Sequence, residues 1–332
     1  MKTMTLAALI CLTTVPAYAV NEYVPPAEEV KADKDKTKES EQGWHYHLSL
    51  GASVAFGAND QVVGQQSGAS WTLGFNLNGA VGLLRNKHDW RNTLSILENV
   101  TRSPALSEWV KSADTLDFQS IYYLHLAEWI GPFARFSLTT PLFKGREVRA
   151  TPTDYSVNGT VVASGVTSLK LTDPFQVLTL KESVGVFAQP VSKPSITIDT
   201  RAGFGVHEVF ADGARVVADD AATANVVELN ELDSYVQAGV ELAVEALGVL
   251  SEGKVNYGVG GEVMVPLVND DPQDRSVGDL TNISAHARLS FKLVEWASLD
   301  IEAKALRQPQ ISEDWQKSIA MLLTFGYTVF EK

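Results

Sequence analysis

His45 and His47 stand one residue apart in "GWHYHLSLG". On an extended strand that spacing turns both imidazoles to one face, where a metal ion would find two of its ligands. No third ligand stands at a recognisable spacing, so the plainer reading is two solvated strand residues near an opening. No metal or cofactor is expected. His125, His207 and His286 could act as general bases, and Ser120, Ser183 or Ser284 as nucleophiles. Catalysis needs nucleophile, base and orienting group brought together, and no spacing singles out a set. Neither G-x-S-x-G nor H-E-x-x-H occurs. The histidines read as members of a polar network, and no enzyme is expected.

The elements that position these residues follow from the rest of the chain. Met1 to Ala19 has the parts of a secretory signal: Lys2, an apolar stretch centred on Leu6 to Leu12, and Ala17-Tyr18-Ala19 as a cleavage site after Ala19. The single cysteine, Cys11, leaves with that segment. A lipoprotein reading of Cys11 is disfavoured because Ile10 is larger than the Gly or Ala that such cleavage prefers. The mature chain then has no disulfide framework and no thiolate metal site. Residues 20–42, including "PPAEEVKADKDKTKESEQ", bury too little apolar surface to offset ordering entropy and read as a disordered linker. The net charge of -13, from 27 basic and 40 acidic residues, offers no basic footprint for nucleic acid. Beyond the signal no run reaches the roughly 18 apolar residues a membrane helix needs. A closed β-barrel remains open.

From Gly43 the texture changes to alternation with period two. Trp44, Tyr46, Leu48, Leu50, Ala52, Val54 and Phe56 alternate with His45, His47, Ser49, Gly51 and Ser53. Trp71, Leu73, Phe75, Leu77, Gly79, Val81 and Leu83 alternate with Thr72, Gly74, Asn76, Asn78 and Gly82. Similar runs cover 90–100, 115–126, 133–143, 176–188, 196–208, 234–248, 255–268, 282–293, 298–307 and 317–330. Twelve strands result, each near the roughly 9–11 residues a tilted strand needs to cross a bilayer. The connections alternate in length: 85–89, 128–132, 189–195, 250–254 and 294–297 are short, while 57–69, 101–114, 144–175, 209–233, 269–281 and 308–316 are longer. The predicted fold is all-β, a transmembrane antiparallel up-and-down barrel over 43–332, with both termini on the short-turn, periplasmic side. Trp44, Trp90, Trp129 and Trp296 fall beside short turns or the first strand's start, Trp71 and Trp315 at the opposite strand ends, and Trp109 in a long loop. That is the distribution of two interfacial aromatic girdles.

Several segments carry competing signals. "SYVQAGVELAVEALGVL" (234–250) alternates, yet Val236, Val240, Val244 and Leu247 also suit a helix face; its neighbours favour strand. "SPALSEWVKSA" (103–113) is a candidate short helix. Glu98 and Glu182 fall on the lipid side, which predicts a bulge, a register shift or placement near the rim. In the longest loop, Val157-Asn158-Gly159-Thr160 is a hairpin signal, for an arm that projects outward or folds over the pore.

The polar face then lines a lumen. It holds Arg91, Asp117, Gln119, His125, Arg135, Lys181, Asp199, Arg201 and His207, then Glu241, Glu245, Glu262, His286, Arg288, Lys292, Asp300, Glu302 and Lys304. Paired charges would plug the interior, whereas charges on opposite walls would leave a transverse field across a water-filled constriction. Glu241, Glu245 and Glu262 cluster without a base, and Arg91, Arg135, Lys181 and Arg201 populate the other half, which favours the transverse field.

Signal, alternating strands, alternating turns and aromatic ending together resemble bacterial outer-membrane β-barrel proteins. Within them, "SWTLGFNLNGAVGLLRNKHDWRNTLSI" (70–96) and "GPFARFSLTTPLF" (131–143) are similar to a bacterial barrel family classed as a domain of unknown function. The resemblance implies outer-membrane lipids and the barrel assembly machinery as partners, and brings no site residues. The expected function is a porin-like passive channel for small polar solutes in a monomer. The alternatives are a closed barrel that works through its external loops and a hydrolase at the rim. "SIAMLLTFGYTVFEK" (318–332) reads as the closing strand, paired with the one that begins at Trp44.

Overall fold

The computed structural model describes residues 42–59 and 68–331, apart from 105, 107, 194, 220–222, 224–225 and 272. The expected signal peptide, and the expected linker up to residue 41, lie outside the described residues. In chain order the strands are β1 (Gly43–Asn59), β2 (Gly68–Arg85), β3 (His88–Arg102), β4 (Val110–Leu124), β5 (Ile130–Thr140), β6 (Gly145–Val157), β7 (Thr160–Thr172) and β8 (Leu178–Lys193). They continue as β9 (Ile196–Phe210), β10 (Arg215–Val217), β11 (Val226–Glu231), β12 (Tyr235–Leu250), β13 (Val255–Asn269), β14 (Asn282–Val294), β15 (Ala297–Gln308) and β16 (Ser312–Glu331).

Twelve of these close a barrel in the order β1-β16-β15-β14-β13-β12-β9-β8-β5-β4-β3-β2. Every neighbouring pair is antiparallel. The alternation in sequence becomes the two sides of the wall. Leu73, Phe75, Val184, Val186, Phe204, Leu242, Ile319 and Met321 all point outward and lie exposed, Ile319 at 80%. A continuous apolar outer surface of this extent is a wall immersed in lipid, because water would penalise it heavily. Closure comes from β1 and β16, paired from His47↔Glu331 to Ser53↔Thr324 with one register shift between Leu48 and Ser49. The closing strand is therefore where its alternation placed it.

At one end, the turn end, β2–β3, β8–β9 and β14–β15 are joined across 86–87, 194–195 and 295–296, and both termini of the barrel lie there. At the other, the loop end, the short-long alternation breaks once. The predicted loop 308–316 shrinks to 309–311, because β16 starts at Ser312 and Gln308 pairs with it directly. Segment 234–250 is strand β12, held on both edges by β9 and β13. The candidate helix over 103–113 is absent among the described residues: Leu106 N–H donates to the Ser103 carbonyl in a single turn, and Val110 already begins β4. An isolated helix of that length cannot offset its nucleation cost.

Both lipid-side glutamates find the predicted relief, by different means. Glu98 stands beside a register shift between Asn99 and Val100 at the loop-end rim. Glu182 keeps regular pairing with Phe136 and Val206 and lies exposed near the start of β8, close to that same rim.

The long loops are not bare connections. β6 and β7 form the hairpin announced by Asn158-Gly159, whose φ values of 48 and 76 are those of a mirror-image turn. It is extended by β11, parallel to β6, and by β10 into a four-stranded sheet of order β10-β11-β6-β7. The outer strands β7 and β10 approach each other, so the sheet coils around its own core of Tyr155, Val157, Leu171, Val227 and Leu229.

Candidate functional site in the barrel lumen

One wall of the lumen, from β5 to β13, is filled by its own charges. Arg135 Nη2 on β5 stands 2.8 Å from both Glu241 Oε1 on β12 and Glu262 Oε2 on β13. Lys181 Nζ on β8 donates to Glu262 Oε1 at 3.0 Å. His207 on β9 lies with Nε2 3.9 Å from each glutamate. All five side chains are at least nine-tenths buried. The expected transverse field is therefore corrected: the glutamates that seemed baseless from sequence take Arg135 and Lys181 as partners. The reason is reach and cost. Gly185 and Gly203 face one another where any Cβ would collide with backbone, and a Cβ on Gly205 would stand 2.8 Å from Glu241 Oε2. These glycines let long side chains fold flat over β8 and β9 and meet across several strands. Unpaired carboxylates at this depth would be far more costly than paired ones.

The ligand-type atoms of His207, Glu241 and Glu262 all lie within 4.8 Å of one another. Two cations already balance the two carboxylates, so the group is a neutral ion-pair cluster. Its convergence was hidden in the sequence, because the three residues lie on three strands and only the register brings them level.

Toward the turn end a second layer repeats the logic. Arg201 bridges Asp199 (3.2 Å) and Glu245 (3.8 Å), and His286 approaches Glu245 at 3.7 Å. Arg288 lies 3.6 Å from Glu302 and 4.0 Å from Asp300. Arg91 grips Asp89 at 2.6 Å and sits over the Tyr123 ring, while Ile121, Tyr123, Phe133 and Phe187 pack as an apolar cluster below. Asp117 accepts from Thr139 at 2.7 Å. Lys304 is half-buried opposite His286, and Lys292 is exposed near the turn end. Of the candidate nucleophiles, Ser183 accepts from Arg135 Nε and Ser120 faces outward to accept from Trp90 Nε1. His45 and His47 both take the inward face of β1.

The opposite wall differs in kind. Beyond His45 and His47 at the turn end, the inward polar and glycine positions of β1, β2 and β3 between Arg91 and the loop end include Ser49, Gly51, Ser53, Thr72, Gly74, Asn76, Asn78, Thr93, Ser95 and Asn99. Ala55, Ala80 and Leu97 stand among them, and no inward side chain there is charged. Ser53, Thr72, Asn76, Asn78 and Ser95 keep partial solvent exposure. A Cβ on Gly51 would collide with the Asn76 carboxamide, and one on Gly74 with Asn99 and Ser53. The amides thus lie flat against the wall over glycines instead of crossing the lumen.

At the loop end, the mouth is covered over the filled wall. Val209, Ala211, Ala214, Leu232 and Tyr235 pack together with Val177, Val216 and Ile311. Ile311 comes from the β15–β16 connection, so this cluster bridges the mouth across β13 and β14. Arg275 ties the cover down: it holds Asp271 through Nε and Nη2 and donates to the Pro309 carbonyl at 3.0 Å. The Arg275 hydrogen bonds hold the Asp271 carboxyl below the usual aspartate range. Around the outside, Trp44, Trp90, Trp129 and Trp296 are exposed at the turn end, and Trp71 and Trp315 at the loop end.

No protein-family model and no curated protein matches the chain. Solved structures do. The translocator domain of autotransporter NalP from Neisseria meningitidis is 10% identical, with a TM-score of 0.38 over 90% of this chain and 93% of that one. An outer-membrane channel from Pseudomonas putida F1 is also 10% identical, with a TM-score of 0.38 over 87% and 96%. Pseudomonas putida OprB is 10% identical, with a TM-score of 0.28 over 89% and 97%. At these values the likeness is one of barrel architecture.

Proposed function

We propose that this protein is an outer-membrane channel that passes small polar solutes along the uncharged wall of its lumen, with both termini in the periplasm. The observation that carries the reading is the asymmetry of the interior. The β5–β13 wall is filled by neutralised ion pairs, while the inward hydroxyls and amides of β1–β3 remain partly open to solvent. A structural barrel that needed only to be solid would gain nothing from laying Asn76 and Asn99 flat over Gly51 and Gly74. Twelve strands also enclose more room than the eight that side chains just fill. The Trp rings at the two ends are the interfacial anchors in this reading, and the chain acts as a monomer, with lipids and the barrel assembly machinery as its partners. Purified full-length protein in a planar bilayer is expected to give discrete, small conductance steps, and Gly74→Leu is expected to abolish them while the barrel still folds. Absence of conductance at every voltage in the unaltered protein would remove the reading.

A second reading is favoured by the coiled loop-end sheet. A sheet with its own core, tied to the rim by the Asp114 carboxylate through the Leu142 and Phe143 N–H groups (2.7 and 2.8 Å), is built to present a surface. In that case deletion of 146–171 removes partner binding at the cell surface and leaves conductance untouched.

A further inference from the structure

The uncharged arc says which solutes it suits. In-register rows cross it: Thr324, Ser53, Gly74 and Asn99 in one, and Ser49, Asn78 and Ser95 in another. Ser95 Oγ donates to Asn78 Oδ1 at 2.9 Å, which leaves the Asn78 NH2 as a donor. Two further groups are more than nine-tenths buried: the Asn99 carboxamide oxygen and the Thr93 hydroxyl, neither with a hydrogen-bond partner among the described residues. Asn99 Oδ1 lies over Gly74 beside Ser53 Oγ, on the lumen side of the wall. A buried carbonyl left unpaired is costly, and a small outward turn of the Asn99 carboxamide into the lumen would let it accept from a solute hydroxyl.

An ion gains nothing comparable here. On the inward faces of β1 and β2 the only titratable groups are His45 and His47 at the turn end, and on β3 the Asp89–Arg91 pair at the same end is already closed on itself. On β1–β3 beyond the turn end a charged solute that sheds water meets no opposite charge, and the neighbouring carboxylate, Asp117 beside Ser95 on β4, already accepts from Thr139. A polyol or sugar, by contrast, meets donors and acceptors spaced by the strand repeat. We propose that the β1–β3 arc is a selectivity surface for small, uncharged, polyhydroxylated solutes, an inference that rests on the channel reading above and narrows its substrate class.

The test is swelling of liposomes that contain the full-length protein, run beside single-channel recording in potassium chloride. The probes are glucose, the anion gluconate and the cation glucosamine, which are similar in size. Glucose is expected to enter several-fold faster than either charged relative. Asn78→Asp, which places a carboxylate on the path, is expected to raise glucosamine influx relative to glucose. Gly74→Leu is expected to stop glucose influx, with folding verified by heat-modifiable migration in gels. Conductance together with gluconate or glucosamine entering as fast as glucose would overturn the selectivity and leave the channel standing. Failure of both conductance and swelling would overturn both.

Discussion

Replacing Arg135 by Met tests whether the β5–β13 wall is filled. Arg135 is the guanidinium shared by Glu241 and Glu262, at 2.8 Å from each, and its side chain is 5% exposed. With it gone, the ion-pair partner that remains against the two buried carboxylates is Lys181, 3.0 Å from Glu262, with the His207 ring 3.9 Å from each. Breaking a buried pair from one side costs about 3–5 kcal/mol, since the orphaned charge stays desolvated; that is roughly a 150-fold or greater change in the folding equilibrium. The double variant Arg135→Met/Glu241→Leu restores neutrality, with Lys181 and Glu262 still paired. It is therefore expected to recover most of the loss, for a coupling of about 2 kcal/mol or more. Urea unfolding in lipid vesicles, followed by tryptophan fluorescence, gives both numbers from midpoint and slope. A single-variant loss below about 1 kcal/mol, the range of solvent-exposed pairs, would refute the reasoning, as would strict additivity in the double variant. Either result would mean that water reaches the cluster and that this side of the lumen is open.

Truncation after Leu322 removes every residue registered against β1, from Thr324 to Glu331; the barrel then cannot close, and folded, heat-modifiable protein is expected to be lost from the membrane fraction. Deletion of 146–171 removes β6, β7 and most of the core of the loop-end sheet but no barrel strand, so the barrel's unfolding midpoint is expected to stay within experimental error. The Asp271–Arg275 tie is formed while Asp271 is ionised, and its carboxyl is held below the usual range. Its stabilisation is thus fully present at neutral pH, begins to fall as pH drops through the ordinary aspartate value near ~4, where the unfolded chain takes up the proton, and is gone once pH has fallen through the lower folded value. Hydrogen exchange in 273–281, corrected for the intrinsic rate, should stay slow at pH 5 and quicken progressively as pH falls below about 4, and Asp271→Asn should remove that dependence.

The fold was legible because barrel strands obey a local rule. Each of the twelve reports its own two faces through alternation, and even 234–250, with its helix-compatible valines, kept strict period two. What local pattern could not report was anything set between distant strands. Glu241 and Glu262 looked unpartnered because Arg135 and Lys181 are far away in sequence, and the glycines that let them meet, Gly185, Gly203 and Gly205, carry no charge signal of their own. The β10–β11 extension escaped for a related reason. β11 is short and pairs parallel with β6, so neither a hairpin turn nor a long alternating run announces it. The Asn158-Gly159 hairpin, which is local, was read directly.

The two structural features that sequence missed belong together. The connections that build the loop-end sheet and the mouth cover leave from β5, β8, β9 and β12, the same strands that carry Arg135, Lys181, His207 and Glu241. A wall that bears folded loops must hold its strand ends fixed, and a compensated ion cluster spanning those strands supplies cross-strand rigidity that hydroxyls and amides do not. The β16–β1–β2–β3 arc carries no strand of the loop-end sheet, and its share of the mouth cover among the described residues is the short segment 309–311, through Ile311 and the Pro309 carbonyl. It can therefore keep its inward side chains small, uncharged and flat over glycine. On this view the filled wall and the proposed solute path are one design constraint seen from two sides. Filling β1–β3 with ion pairs of the same kind should then abolish the conductance expected of the proposed channel without adding stability that the loops require.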